Sequence, residues 1–273
     1  MHKFVALMRR YCHDYTNRQD FAACDTIMVP QYTLHMGTHH LTGRDSAYKP
    51  ATSRQFQQFP GLCLTINEVM TNGDRLCLRF SEHGASLRHA GALAAWSGIG
   101  LYKWDGERLT ENFVEQDYYS RRGQLASGAA LPVEASAIAP WDTQPSAPNH
   151  AAERLVRELL ERGDLMNTTG VVFDDEWTGA VRQRVIEPGG ARIDDLFSAG
   201  NQVAFHAALT GLVAEDFAGA DAGGGAAAGG GTVAAREREA VLHMSGLVTL
   251  RDGQIVSGRV IRDRLGLYRR LTG

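Results

Sequence analysis

The sequence has no long hydrophobic run and no paired-cysteine motif. All four cysteines lie in the first half, and none forms a Cys-x-x-Cys pair. This disfavours a zinc finger or a redox centre and predicts reduced thiols in a core. The first ten residues hold too few apolar positions before Arg9 and Arg10 for a signal peptide or a membrane span. We therefore expect a cytoplasmic protein without a membrane partner.

The chain also has no marked excess of charge of either sign. The chain has 28 basic and 31 acidic side chains and a net charge of -3, with no basic block, so we expect no nucleic-acid partner. It lacks a glycine-rich phosphate loop, a nucleophile elbow and zinc spacing, so we expect no cofactor. His39 and His40 have no Asp or Glu at helical spacing, which predicts no metal site.

Proline is scarce except in one segment. Four prolines fall among alanines and serines at 126–149, a composition that favours a linker. Because 273 residues exceed the usual single domain, we predict a domain at 1–125, a linker at 126–149 and a second, shortened domain at 150–273. A glycine- and alanine-rich stretch at 218–235 predicts a surface loop between strands.

The first half has the pattern of an α+β domain. Phe4, Leu7, Met8, Tyr11 and Tyr15 recur at helical spacing and predict an amphipathic first helix. Beyond Pro60 the pattern changes to strands at 62–70, 75–83, 93–104 and 108–119, with turn dipeptides between them. Helices that precede a long-stranded antiparallel sheet indicate the α+β class.

The second half repeats part of this pattern. The segment 72–84 aligns with 200–211, and Trp96–Gly106 aligns without a gap on His243–Gly253. With one gap, 109–122 falls on 255–270, which pairs Asp117 with Asp263. A repeat of this length predicts a tandem domain duplication.

The strand after the Asp105-Gly106 turn, with Phe113 and Asp117, resembles the closing strand of SnoaL-like polyketide cyclases in the nuclear transport factor 2-like superfamily. Phe113 stands where that family usually has tryptophan. Upstream, the segment 41–45 (LTGRD) resembles the entry into the family's third helix. The resemblance implies two tandem cone-shaped domains, each a curved antiparallel sheet wrapped around helices (a cystatin-like α+β barrel) with an apolar cavity.

In SnoaL-like cyclases an aspartate at the position of Asp117 is the acid/base, so the resemblance implies this role here. Since strand side chains alternate, Phe113, Glu115 and Asp117 share one face, which we expect to line the cavity. The alternative is a solvated carboxylate or an ion pair with Arg121 or Arg122. His35 matches a pocket position and is a second catalytic candidate or a structural histidine.

Five residues are predicted to bind substrate: Tyr32, Arg79, Trp96, Phe113 and Glu115. The strand face of Arg79 belongs either to the pocket or to a dimer surface. Four residues are the candidates of the second domain: His206, His243, Arg259 and Asp263.

The function expected from these residues is that of a cofactor-independent lyase or isomerase, of cyclase or dehydratase type. It would act on a hydrophobic carbonyl-containing small molecule by Asp-mediated proton transfer. The alternatives are a non-catalytic small-molecule binding protein and a protein-interaction scaffold. The second domain is expected to form an intramolecular pseudo-dimer with the first, and a homodimer is a further alternative.

Overall fold

A computed structural model of the chain describes residues 1–214, 217 and 238–272. The glycine- and alanine-rich loop predicted at 218–235 lies outside the described residues. The described chain folds into two α+β units, each with its own sheet, as the sequence pattern predicted. No helix in the described part of the chain is long and apolar enough to span a membrane.

The first unit begins with helices. Their bounds are α1 Lys3–Arg10, a π-helical continuation Tyr11–Asn17, α2 Phe21–Ile27, a π-helical turn Arg44–Tyr48 and α3 Lys49–Gln58. Helix α1 buries Phe4, Leu7 and Met8 on one face, which is the predicted amphipathic pattern. The side chain of His2 accepts a hydrogen bond from the Phe4 N–H and caps the helix start.

The sheet of the first unit has six strands. Their bounds are β1 Met28–Met36, β2 His39–Thr42, β3 Cys63–Thr71, β4 Arg75–Ser86, β5 Ala92–Trp104 and β6 Leu109–Gln116. They lie in the order β2-β1-β6-β5-β4-β3. Strand β1 runs parallel to β6, whereas the other neighbours are antiparallel. The helices pack on one face of this sheet and enclose the first core.

Helix α4, Tyr118–Ser127, follows β6 directly. The sequence pattern extended the last strand to 119, but the strand ends at Gln116. The side chain of Asp117 accepts a hydrogen bond from the Ser120 N–H and so caps α4. The proline-rich segment that follows contacts both units. Ala137 N–H donates to the Ile66 carbonyl, and Asn149 N–H donates to the Ser198 hydroxyl.

The second unit has fewer helices and five strands in the described chain. Their bounds are α5 His150–Glu161, β7 Val171–Phe173, β8 Ile186–Ala199, β9 Gln202–Val213, β10 Glu239–Arg251, β11 Gln254–Arg262 and α6 Arg264–Thr272. The strand order is β7-β11-β10-β9-β8, and β7 runs parallel to β11. This repeats the order β1-β6-β5-β4-β3 of the first sheet, as a tandem duplication requires.

The structure corrects one detail of the internal alignment. The Asp117 N–H donates to the Ser97 carbonyl, and the Asp263 N–H donates to the His243 carbonyl. Ser97 and His243 are therefore equivalent, and the gapless pairing of Trp96 with His243 is shifted by one residue. A shift of one residue turns a strand side chain to the other face, so Trp96 belongs to the first core while His243 lies on the opposite side of its sheet.

The two sheets pack against each other through the faces that point away from their helices. The side chains of this interdomain core are Met70, Cys77, Ile99, Leu101, Phe113, Phe197, Ala199, Ala204, Leu247 and Ile261. Polar contacts surround it. Arg75 pairs with Asp195, and Gln202 Nε2 donates to Glu68 Oε1 at 2.6 Å.

Candidate active site in the first domain

A cavity of about 270 Å³ lies between the helices and the sheet of the first unit. It is near the lower end of the size range of small-molecule sites. The aromatic and aliphatic side chains in its wall are Tyr11, Tyr15, Leu34, Met36, Leu41, Tyr48, Phe56, Leu64, Phe80, Tyr102, Val114 and Tyr118. The polar side chains that also line the cavity are Thr16, His39, Thr52, Arg54, Gln55, Glu82, Asn112 and Gln116. The aromatic and aliphatic side chains still form the larger part of the wall, so a ligand here would be mostly apolar with some polar groups.

Glu82 is the acid on the cavity side of β4. Leu76, Leu78, Phe80 and Glu82 alternate along one face of that strand, and the Glu82 side chain lies at the cavity. Glu82 is 5% exposed and accepts a hydrogen bond of 2.8 Å from Gln55 Nε2.

Burial raises the pKa of Glu82 from 4.5 to about 7, although the positive charge of Arg121 and the Gln55 hydrogen bond oppose the rise. Arg121 lies over the ring of Tyr118 at 3.9 Å and over that of Trp96 at 4.9 Å. A carboxyl group with this pKa can take up or release a proton near neutral pH.

Neutral hydrogen-bonding groups complete the cavity. The Tyr11 and Tyr48 hydroxyls lie 3.3 Å apart, and burial raises the pKa of both, so they stay protonated. Within the described chain, the Tyr15 hydroxyl, the Thr16 hydroxyl and Asn112 Oδ1 have no hydrogen-bond partner, although all three are buried. Buried polar atoms normally have partners, so these groups are suited to a ligand oxygen or hydroxyl.

Residues 8–112 match the family model described as the SnoaL-like domain. The matched segment is a SnoaL-like domain. The match ends before Phe113, and it covers only this part of the chain. Among curated proteins, none matches the chain.

Several solved structures are similar over about half of the chain. A protein of Acidithiobacillus ferrooxidans, provisionally named a polyketide cyclase, is 21% identical, with a TM-score of 0.40, over 45% of this chain and 94% of its own. A SnoaL-like protein of Jannaschia sp. CCS1, provisionally named in the same way, is 16% identical with a TM-score of 0.40, over 47% and 92%. TsrD of Streptomyces laurentii is 20% identical with a TM-score of 0.41, over 46% and 96%. At these values the likeness has no bearing on activity.

The SnoaL-like domain places the predicted catalytic face elsewhere. On β6, Asn112, Val114 and Gln116 line the cavity, so Phe113 and Glu115 point to the opposite side, toward the second domain. The expectation that this face lines the cavity is therefore corrected. The predicted alternation of Phe113 and Glu115 along one face held, but that face points away from the cavity.

Asp117 is buried but does not line the cavity. Its Oδ1 accepts a hydrogen bond of 3.0 Å from Arg264 Nη2 of the second domain, so its ion-pair partner is neither Arg121 nor Arg122. Burial raises the pKa of Asp117 from 3.8 to about 6, and the nearby Arg264 opposes the rise. Asp117 therefore lies between the two domains and, through its ion pair with Arg264, contributes to the contact between them.

His35 also lies on the outer face of the sheet. Its neighbours on β1, Leu34 and Met36, line the cavity. The His35 ring stacks on Phe113 with 4.3 Å between centroids, and His35 Nε2 lies 2.9 Å from Glu111 Oε1. His35 and Asp117 are therefore not brought together at the cavity.

The structure separates the predicted substrate-binding residues. Tyr32 and Trp96 belong to the first core behind the cavity wall, and Trp96 Nε1 donates to Gln116 Oε1 at 2.8 Å. Arg79 lies on the outer face, where it pairs with Glu68 at 3.2 Å and with Glu134 at 2.5 Å. The strand face that carries Arg79 is therefore not part of the pocket.

The candidates of the second domain lie outside the cavity as well. His206 and His243 are buried beside the interdomain core, and Arg259 lies over the Trp177 ring at 4.0 Å. Asp263 Oδ1 accepts a hydrogen bond from the Gly266 N–H and caps α6 as Asp117 caps α4. His206 contacts Asp194 and Glu115, so a pairing with Asp263 is not formed.

Sequence reasoning missed the cavity residues that carry its chemistry. Glu82 was hidden because it follows an apolar stripe and looks like the strand's polar end. Tyr11 and Tyr15 were assigned to the helix core. The available signal was an acid continuing the inward alternation of β4, opposite two tyrosines one helical turn apart.

Proposed function

We propose that the first domain is a cofactor-independent cyclase or isomerase that acts on a small, largely apolar carbonyl compound, with Glu82 transferring the proton. The observation that carries the proposal is the buried Glu82 carboxyl with a pKa of about 7 at an apolar cavity. Perturbed carboxyl groups in cavities are characteristic of catalytic acids and bases.

The step assigned to Glu82 is proton transfer at carbon. The Glu82 carboxylate removes a proton from the carbon next to the substrate carbonyl. The C–H bonding pair becomes a C=C bond, and the C=O π pair moves to oxygen, which gives an enolate. The Tyr15 hydroxyl, which has no partner in the described chain, donates a hydrogen bond to that oxygen. Such preorganised donors stabilise developing negative charge. The Glu82 carboxyl then returns the proton to carbon. In the cyclase alternative the enolate carbon attacks a second carbonyl carbon of the same substrate, the C=O π pair moves to that oxygen, and the oxygen takes the proton from Glu82.

The second domain serves in this proposal as the partner that a SnoaL-like domain would otherwise find in another copy. Its support is the interdomain core, in which Phe113 and Leu101 meet Leu247 and Ile261. Apolar sheet faces are stabilised by burial against each other. The pseudo-dimer leaves the cavity of the first domain on the far side of its sheet.

Hydrogen–deuterium exchange of a small cyclic ketone tests the proposal. The α-protons of 2-tetralone, followed by NMR in deuterated buffer, should exchange faster with the protein than in buffer alone. The rate should rise with pH through about 7 as Glu82 ionises. Glu82→Gln should lower the catalysed rate on the order of 10²- to 10⁴-fold, the usual contribution of a positioned general base.

Two matched variants complete the experiment. Glu111→Gln changes an outer-face glutamate of β6, and Asp117→Asn removes the interdomain carboxylate, so both should keep the exchange rate within about threefold. Equal rates for the wild type and Glu82→Gln would refute the role of Glu82. Binding of 2-tetralone without any catalysed exchange would instead favour the non-catalytic binding protein.

A further inference from the structure

Three potential metal ligands meet between the two domains. Glu115 comes from β6, His206 from β9 and His243 from β10, and all three are buried. One ligand atom of each lies within 4.8 Å of the others, and His206 Nε2 is 3.0 Å from Glu115 Oε1. The cluster lies on the opposite side of the first sheet from the cavity, so it is separate from the proposed active site.

Outer contacts orient two of these ligands. His206 Nδ1 lies 2.9 Å from Asp194 Oδ2, so Asp194 can hold the proton-bearing Nδ1 while Nε2 faces Glu115. The Gly37 N–H donates to Glu115 Oε1 at 2.7 Å. A carboxylate behind a ligating histidine, and a hydrogen bond to a ligating carboxylate, are the usual supports of protein metal sites.

His243 supplies an independent observation. It is 5% exposed, and its Nδ1 has no hydrogen-bond partner among the residues that the structure describes. Buried nitrogen atoms without partners are rare in folded proteins. Two further acidic groups, Asp194 and Asp263, lie next to the cluster, while Arg192 and Arg270 lie on the His243 side.

We propose that Glu115, His206 and His243 bind one divalent transition metal ion of the zinc type between the domains. Two histidines and one glutamate form a known zinc ligand set that leaves one position for water. Ligand atoms of tetrahedral zinc lie about 3.3 Å apart at bond lengths of about 2.0–2.1 Å, so binding draws the widest pair of ligand atoms closer together. The ion would connect strands of both domains and stabilise their contact.

A path to the cluster is present. A groove of about 1130 Å³ is lined by residues of both domains, including Thr38, His40, Arg192 and His243. His243 is therefore shared by the groove and by the cluster. In this proposal the metal ion enters from the groove, on the His243 side of the cluster.

Zinc titration of the full chain tests the proposal. After dialysis against EDTA and then metal-free buffer, ZnCl₂ should bind at one ion per chain in calorimetry, and saturating zinc should raise the melting temperature. CoCl₂ should give the strong visible absorption of four-coordinate Co²⁺. His243→Gln is the first variant, because this side chain has no hydrogen bond to lose in the described chain, and it should weaken zinc binding at least tenfold. Glu115→Gln should act in the same direction.

Two further variants separate this site from surface histidines. His89→Gln, on an exposed turn, should bind zinc like the wild type. His40→Gln changes the exposed cluster that includes His35, and it should also keep the one-to-one binding. Binding lost in His40→Gln but kept in His243→Gln and Glu115→Gln would overturn the proposal, as would less than about 0.2 zinc per wild-type chain.

Discussion

Glu82 illustrates how strongly one residue depends on its surroundings. The same strand has Arg79 on its outer face with two glutamates, and Glu82 on its inner face with Gln55. Outside, a charged group is matched by opposite charge. On the inner face, the effect of burial on Glu82 outweighs the Gln55 hydrogen bond and the Arg121 charge, so the pKa of Glu82 rises. A group that is costly to ionise in the folded state is retained here at a cavity, which is typical of functional sites.

Glu82 should therefore lower the stability of the fold as the pH rises. Its folded pKa of about 7 lies above the unfolded value of 4.5, so the penalty is absent below about pH 4.5 and complete above about pH 7. Urea unfolding of the wild type and of Glu82→Gln should give a difference in the free energy of unfolding that moves in favour of the variant between pH 4.5 and 8. The change amounts to at most about 3 kcal/mol. A difference that does not vary with pH would refute the raised pKa.

Glycines in the central strands let each sheet pack an aromatic ring across its backbone. Phe80 pairs with Gly98 in the first sheet, and Phe205 pairs with Gly246 in the second. A Cβ atom at Gly98 would lie 2.4 Å from the Phe80 ring, and one at Gly246 would lie 2.1 Å from the Phe205 ring. Both rings therefore occupy space that a side chain would need. The two domains use the same packing device on corresponding pairs of strands.

Alanine at either glycine should destabilise the protein. Gly246→Ala forces the Phe205 ring to move within the second core, which costs about 1–3 kcal/mol. Gly98→Ala should cost less, because the Phe80 ring borders the cavity and can shift toward it. Gly61→Ala is the matched control, because nothing lies within 4 Å of a Cβ at that position, and its effect should stay within about 0.5 kcal/mol. Thermal and urea unfolding measure all three. Equal stability of Gly246→Ala and Gly61→Ala would contradict the proposed packing.

At the scale of the whole molecule, charges as well as apolar side chains join the domains. Arg264, 4% exposed, contacts Asp117 of the first domain together with Asp174 and Asp175 of the second. These carboxylates raise the pKa of Arg264, although burial opposes the rise. Arg262 also pairs with Asp174 and Asp175, so in the described chain Asp117 is the one of these acids whose charge is compensated by Arg264 alone.

Replacing Arg264 should lower the stability of the protein, because a buried carboxylate is left without an opposite charge. Arg264→Met should lower the free energy of unfolding by about 3–5 kcal/mol at pH 8. Without Arg264 the pKa of Asp117 rises further above its unfolded value, so the deficit should shrink as the pH falls toward 5. The surface pair variant Arg162→Met should change stability by less than about 0.5 kcal/mol. Because the domains share a buried core, wild-type unfolding should be a single transition, and two resolved transitions would contradict that coupling.

The sequence alone was sufficient for the class of fold. Periodicity, turn dipeptides and the internal repeat are local signals, and they predicted the α+β pattern and the strands near their observed bounds. The predicted resemblance to SnoaL-like proteins is confirmed over residues 8–112, a range that includes the 41–45 segment but neither Phe113 nor Asp117. Register was less certain, since Trp96 and His243 were paired one residue away from their structural equivalence.

Only the tertiary structure decided which face of each strand is which. Alternation groups Phe113, Glu115 and Asp117 correctly, yet it cannot tell a cavity from an interface, because both are buried. In this tandem protein the second domain covers the outer face of the first sheet. The residues on that face therefore include both apolar and acidic side chains, as the residues of an active site do. The placement of Glu82 at the cavity, and of Glu115 beside His206 and His243, depends on contacts between segments far apart in the chain, which no local pattern records.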